Sequence, residues 1–223
     1  TDVHWSEVPG RDSKWKETTI ANTSEAQFKV EFECEFLGSV NTLIAPSKLR
    51  TLIYDNPIQR NAGLDVYENP AENHDYVMTV DVARGVGEDY SAFVVVDITE
   101  FPHKIVCKYR NNDIKPMLFP NIIYELARNY NSAYVLCEVN DIGDQVASIL
   151  QYDLEYENIL MATMRGRNGQ IVGTGFSGKK TQLGVRTTSA VKKLGCSNLK
   201  TLVEDDKLLA SDYEIISELT TFS

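Results

Sequence analysis

The chain has 223 residues, enough for one large domain or for one domain with an appendage. At 43% hydrophobic and 24% charged it can bury a real core. A formal net charge of −10 argues against nonspecific polyanion binding by the whole surface, but leaves room for a local basic groove around an acidic, metal-neutralised centre.

No apolar run approaches the ~18 residues of a membrane span, and no secretory signal opens the chain. Cys34, Cys107, Cys137 and Cys196 are scattered, with neither a CxxC pair nor a dense disulfide framework, so core thiols in a reducing setting are expected. Beginning at Thr1 and stopping at Ser223 directly after a helix-like segment, the chain reads as a fragment.

Residues 1–26 are polar and irregular, with Trp5, Trp15 and a Pro9-Gly10 turn signal. From Gln27 to Ser39, Phe28, Val30, Phe32, Cys34 and Phe36 alternate with polar residues, which suggests a strand; a helix packing Phe28, Phe32 and Phe36 is the alternative. Residues 55–75, rich in Asn, Pro, Gly and acids, read as a surface connection.

Regular structure starts near Tyr76. The runs 76–82, 91–97 and 104–110 read as three strands, and their short connections imply an antiparallel meander. Residues 116–130 have helical spacing. Residues 133–139 form a buried strand ending in an acid, 141–151 a helix, and 159–163 a fifth strand. A Gly- and Lys-rich stretch covers 165–181. Helices are expected over 187–204, with an interruption at Gly195, and over 212–219, with Asp212 as N-cap. The order describes an α/β fold, a mixed sheet with helices on its faces. Tyr130, Tyr134, Tyr152 and Tyr156 lie near sheet–helix boundaries and read as core residues with wet hydroxyls.

Two acids stand out. Asp81 and Glu138 each end an apolar strand, where an unpaired carboxylate is costly to bury. Each alone also reads as an ordinary turn acid, and Asp141 fits the helix-entry role after Glu138 better than Glu138 does. As a pair, 57 positions apart, they are more telling. If the first and fourth strands are neighbours, both project at one sheet edge, repel, and call for a cation. Oxygen-only ligation suits Mg²⁺ or Mn²⁺, and two such ions can stabilise the attacking and leaving oxygens of a phosphodiester displacement. His4, His74 and His103 have no zinc-ligand spacing.

The run Val80-Asp81-Val82-Ala83-Arg84-Gly85 with Asp89-Tyr90-Ser91, then Cys137-Glu138-Val139-Asn140 with Gly143-Asp144, resembles the nuclease motifs of large terminase subunits. The likeness is to tailed phages of the contractile myovirus type. Residues 32–39, 175–181 and 212–219 share it.

The resemblance implies an RNase H-like mixed sheet flanked by helices. It also implies an endonuclease using Mg²⁺ or Mn²⁺, two ions in all, that cuts concatemeric double-stranded DNA during genome packaging and leaves 5′-phosphate and 3′-hydroxyl ends. Asp81 and Glu138 take the places of the first two catalytic, metal-binding acids. The third family acid opens a helix downstream of a segment matched here by Glu218 to Phe222, so it is expected beyond Ser223. Asp212 is the nearest substitute in the chain, and Asp89 reads as a site-edge acid. A fragment without the third acid would bind metal weakly and cut poorly. Residues 1–40 then correspond to the trailing end of an ATPase domain and a linker, and 41–223 to the nuclease domain. The implied partners are double-stranded DNA, the upstream ATPase domain, the portal and the small terminase subunit, with no membrane. The implied place is the host cytoplasm, at the procapsid portal.

Arg84, Lys179 and Lys180 are the expected DNA contacts, the two lysines on a basic loop that touches phosphate without reading bases. Arg165, Arg167, Arg186, Lys192 and Lys193 add charge around it, and a merely solvated loop is the alternative. Gly173 to Thr181 nearly matches a phosphate-binding P-loop, but Lys180 stands where a Ser or Thr would hold Mg²⁺. Besides the nuclease, two other readings stand: a catalytically incomplete docking or DNA-guiding module of the packaging motor, and a nucleotide-binding enzyme using the 173–181 loop.

Overall fold

The computed structural model describes residues 8, 10–22, 42–164, 170–173 and 181–222. The chain divides into two compact units, Thr1–Ile53 with Glu214–Ser223, and Tyr54–Tyr213. In the first unit, α1 (Ser13–Asn22) is opened by Asp12, whose carboxylate accepts the Trp15 amide N–H at 2.8 Å. The single turn α2 (Pro46–Leu49) starts on proline, which lacks the N–H that a helix start leaves unpaired. Ile44 and Leu49 are buried there. The alternating run 27–39 lies outside the described residues.

The second unit is built on a mixed seven-stranded sheet. Its strands are β1 (Gln59–Asn61), β2 (Leu64–Val66), β3 (Tyr76–Asp81), β4 (Ser91–Asp97), β5 (His103–Asn111), β6 (Tyr134–Cys137) and, defined below, β10. The order is β1-β2-β5-β4-β3-β6. β3, β4 and β5 form the expected antiparallel meander. Between β5 and β6 the chain passes through α3 (Phe119–Asn129), so β6 returns parallel to β3. Next come α4 (Gly143–Ser148), a π-helical turn (Ile149–Asp153), and β7 (Met161–Met164), β8 (Gln170–Gly173) and β9 (Thr181–Leu183). The chain continues through α5 (Ser189–Glu204) and β10 (Leu208–Leu209), which pairs in parallel with β5, to α6 (Tyr213–Thr221).

The two faces of the sheet differ. Met78 and Val80 of β3, Phe93 and Val95 of β4, and Val135 and Cys137 of β6 point into one closed core. Phe119, Ile123 and Ala127 of α3, Val146 and Ala147 of α4, and Leu150 of the π turn join it. Cys107 and Cys137 are buried free thiols, and burial pushes both up to about 12, as inert core thiols should be. Tyr130 and Tyr156 are buried with their hydroxyls donating to the carbonyls of Glu68 and Ala133, whereas Tyr134 and Tyr152 are exposed.

The opposite face carries charge. Residues directly across a ladder share a face, so the register aligns Arg60, Asp65, Lys108, Val94, Thr79 and Leu136 in one row across the sheet. Lys108, buried, places Nζ 2.7 Å from Asp212 and 3.5 Å from Asp65. Arg60 holds Asp65 at 2.6 Å, and the Tyr67 hydroxyl donates to Asp212 at 2.6 Å. The next row is Arg110, Ala92 and Asp81.

Besides the exposure of Tyr134 and Tyr152, three expectations change. Residues 55–75 are not a plain connection: they contain the β1–β2 hairpin, which extends the sheet through β5. Its two turn residues, Ala62 and Gly63, both have positive φ (47° and 89°), the tight-hairpin conformation. Alanine at the first of these positions hides the turn signal. The strand expected over 159–163 belongs to a separate three-stranded sheet, β8-β7-β9, and meets β6 through the isolated bridge Val135–Ile159. α5 runs unbroken through Gly195, a helix-interior glycine whose cost of ~1 kcal/mol a 16-residue helix absorbs.

Removing Lys108 leaves two buried carboxylates without their shared cation. Lys108→Ala is expected to cost about 3–5 kcal/mol of unfolding free energy, read by urea titration. A loss below about 1 kcal/mol, the range of exposed ion pairs, would contradict the buried cluster.

Candidate active site

The parallel register of β3 and β6 sets the site. Val80 lies opposite Cys137, so the next residues, Asp81 and Glu138, emerge side by side at the carboxyl ends of two adjacent strands. The Glu138 N–H donates to the Val80 carbonyl at 2.8 Å, and the Val139 N–H donates to the Val185 carbonyl at 2.9 Å. Glu138 is thus held between β3 on one side and the segment entering α5 on the other. Gly143 is required just below: a Cβ there would lie 1.9 Å from the Glu138 carbonyl oxygen, so no larger residue lets α4 start this close to the strand end.

The two carboxylates interact directly. The Asp81 carboxyl is pushed above its usual range, first by the partial burial of its inner side and then by the charge of Glu138. Asp89 adds to the rise, and the Val82 backbone pulls the other way. Asp81 stays open to solvent at the strand tip, between two hollows. One, of about 370 Å³, is lined by Arg84, Glu88, Asp89, Tyr90 and Asp141 as well as Asp81. The other, of about 310 Å³, is more apolar, with Thr79, Val94, Leu136 and Thr187 around Asp81 and Glu138. Asp89 thus lies on the wall of the first hollow, beside Asp81.

Arg84 sits at the mouth of the first hollow. Its Nε and Nη2 donate to the two carboxylate oxygens of Asp141 at 2.8 and 2.9 Å, a fork-to-fork pair between exposed side chains. The pair holds the Asp141 carboxyl below its usual range and Arg84 above its own. Asp141 therefore does not open the following helix: Ile142 holds the cap position, with no side-chain cap, and Asp141 faces Arg84. Asn140 was not singled out as a site residue by the sequence reading. Its side-chain amide donates to Glu138 Oε1 at 2.7 Å and to the Thr187 carbonyl at 3.3 Å.

Asp212 immediately precedes α6, the cap position, but its carboxylate faces Lys108 and Tyr67 and is 98% shielded from solvent, being 2% exposed. That removes it as a substitute third ligand. His74 pairs with Asp97 at 2.6 Å and His103 with the Glu100 carbonyl at 3.1 Å, so neither serves the acid pair. Lys179, Lys180, Arg165 and Arg167 lie outside the described residues. Thr181–Leu183 is strand β9, so the described residues that follow the P-loop-like stretch do not form the helix on which phosphate binding would depend. Among the described residues no protein cation pairs with Asp81 or Glu138, and no cluster of three or more His, Cys, Asp or Glu side chains is arranged as a metal cage. The donors that do converge are carboxylate oxygens, which fit a hard divalent cation.

Residues 78–222 match the family described as the terminase RNase H-like domain. The chain belongs to this family. Solved structures agree with the assignment. The large terminase nuclease of thermophilic phage G20c with bound cobalt shares 26% identity at a TM-score of 0.59, over 82% of this chain and 80% of that one. The same nuclease with bound magnesium gives 23% and 0.60 over the same shares. The large terminase nuclease domain of Thermus phage P74-26 gives 24% and 0.56, over 81% of this chain and 77% of that one. The terminase domain is thus an RNase H-like α/β fold, as its motif order implied.

A carboxyl raised in the folded state binds its proton more tightly there than in the unfolded chain. Below the unfolded value both states are protonated and Asp81 costs nothing. As pH rises past that value the folded state bears the repulsion. Asp81→Asn is therefore expected to raise the melting temperature of the metal-free terminase domain at neutral pH, with the gain shrinking toward zero in acid. Calorimetry of both proteins across pH checks this, and an unchanged or lower melting temperature at pH 7 would contradict the strained pair.

Proposed function

We propose that this domain is the metal-dependent endonuclease of a viral DNA-packaging motor, cutting concatemeric double-stranded DNA during genome packaging. One observation carries the reading. Two acid clusters project from the same sheet face, and only one has a protein cation: Asp65 and Asp212 share Lys108, while Asp81 and Glu138 have no such partner among the described residues. The G20c nucleases with bound magnesium and cobalt support a divalent ion there.

Asp81 and Glu138 hold Mg²⁺ or Mn²⁺, two ions in the full site. Bound metal supplies Lewis-acid stabilisation of the phosphodiester oxygens and a more acidic water. The chain's own residues do the placing. The strand-end carboxylates fix the cations at one edge of the sheet. Arg84 offers a planar fork at the mouth of the adjoining hollow, suited to a phosphate when it leaves Asp141. Lys179 and Lys180 steer the duplex by its backbone.

In the whole protein, residues 1–40 form the trailing end of the ATPase domain and a linker, and 41–223 the nuclease domain. The portal and small terminase subunit are the further partners, at the procapsid in the host cytoplasm. No described helix is long and apolar enough to cross a membrane. The net charge of −10 makes DNA binding by the isolated domain weak and salt-sensitive, with the packaging assembly supplying local concentration. A docking or guiding module would not need two facing carboxylates at the strand ends, which makes cutting the stronger reading.

Plasmid nicking with Mg²⁺ or Mn²⁺ tests this, on the chain as it stands and on one extended by the family's downstream segment. Cutting is expected to depend on metal and to fall at least about a hundredfold, ~3 kcal/mol of transition-state stabilisation, in Asp81→Asn and in Glu138→Gln. Wild-type rates in either variant would refute the assignment.

A further inference from the structure

Glu138 has two carboxylate oxygens, and one of them is already engaged. The Asn140 amide donates to Oε1 at 2.7 Å, a short hydrogen bond for a neutral nitrogen donor. The same amide nitrogen donates its second hydrogen to the Thr187 carbonyl at 3.3 Å. Thr187 directly precedes Thr188, whose hydroxyl accepts the Val191 N–H and caps α5. One side chain therefore reaches both the strand-end carboxylate and the backbone just ahead of the neighbouring helix.

The backbone around Asn140 is fastened on every side. The Glu138 N–H is held by Val80, the Val139 N–H by Val185, and the Asn140 carbonyl accepts the Gly143 N–H at 3.1 Å. Asp141, the next residue, takes a positive φ of 50° and turns the chain away. With its main chain fixed and both amide hydrogens placed, Asn140 has little freedom to release Glu138. Asparagine also bears no charge: it orients a carboxylate without competing for a cation, as a lysine would, and without adding repulsion, as an aspartate would.

We infer that Asn140 is a positioning residue for metal binding: it pins Oε1 of Glu138 so that the other oxygen is presented beside Asp81. This rests on the nuclease reading above. Hydrogen-bond partners behind a metal ligand fix its orientation, and their loss commonly weakens metal affinity 10–100-fold.

Mn²⁺ binding to the DNA-free protein, read from the electron paramagnetic resonance of free Mn²⁺, tests the inference separately from cleavage. Asn140→Ala and the similarly sized Asn140→Leu should each bind Mn²⁺ about 10–100-fold more weakly. Their metal-free melting temperatures should match the wild type. Wild-type Mn²⁺ affinity in either variant overturns the inference. So does a loss of affinity in both that is accompanied by lower metal-free melting temperatures, because Asn140 would then be a structural tie. If the wild type binds no Mn²⁺, or if binding survives Asp81→Asn, the acid pair is not the metal site and the nuclease reading fails together with the inference.

Discussion

Two carboxylates brought together by a parallel strand pair are the constraint around which the terminase domain is arranged. Neighbouring strands run about 4.8 Å apart, so the register that places Val80 beside Cys137 leaves Asp81 and Glu138 no way to avoid each other. The cost is visible in the raised Asp81 carboxyl. The surroundings limit that cost without removing it. Solvent reaches Asp81, the Val82 backbone lowers its carboxyl, and Asn140 holds Glu138. Among the described residues no protein cation relieves what remains, and that is the ground for the divalent cation proposed above.

The contrast with the second acid cluster gives this argument its weight. Asp65 and Asp212 lie on the same sheet face and are more deeply buried, yet each is met by Lys108, with Arg60 and Tyr67 completing the set. The chain neutralises buried carboxylates where their role is structural. That assignment also explains why Asp212 cannot double as a metal ligand, although its position next to a helix start made it the nearest alternative. The core on the closed face needs no such device, being apolar, cysteines included, and covered by α3, α4 and the π turn.

Much of the central architecture was legible in the residues. β3, β4 and β5 alternate or run apolar over their full length and are joined by short turns, so their meander follows from local signals. α3 and β6 follow from helical spacing and from an unbroken apolar run. Asp81 and Glu138 were legible because an acid at the end of such a run is conspicuous. The small elements were not. β1, β2 and β10 have two or three residues each, too few for periodicity to register; β2 and β10 form against β5, and β1 against β2. β7 carries an ordinary strand signal, but a signal of that kind cannot say which sheet a strand will join.

What the sequence determined by itself was a set of chemical types in order: apolar runs ending in acids, a Gly- and Lys-rich stretch, and motifs shared with terminases. Those are properties of single residues and short spacings, and they survive without knowledge of neighbours. The tertiary structure decided that Asp65 and Asp212 share Lys108, that Arg84 meets Asp141, and that Asn140 grips Glu138 and the Thr187 carbonyl. Each of these depends on segments that are distant in sequence or on a turn whose direction is set by packing. Electrostatic demand is local in space, and only the folded chain says what is near.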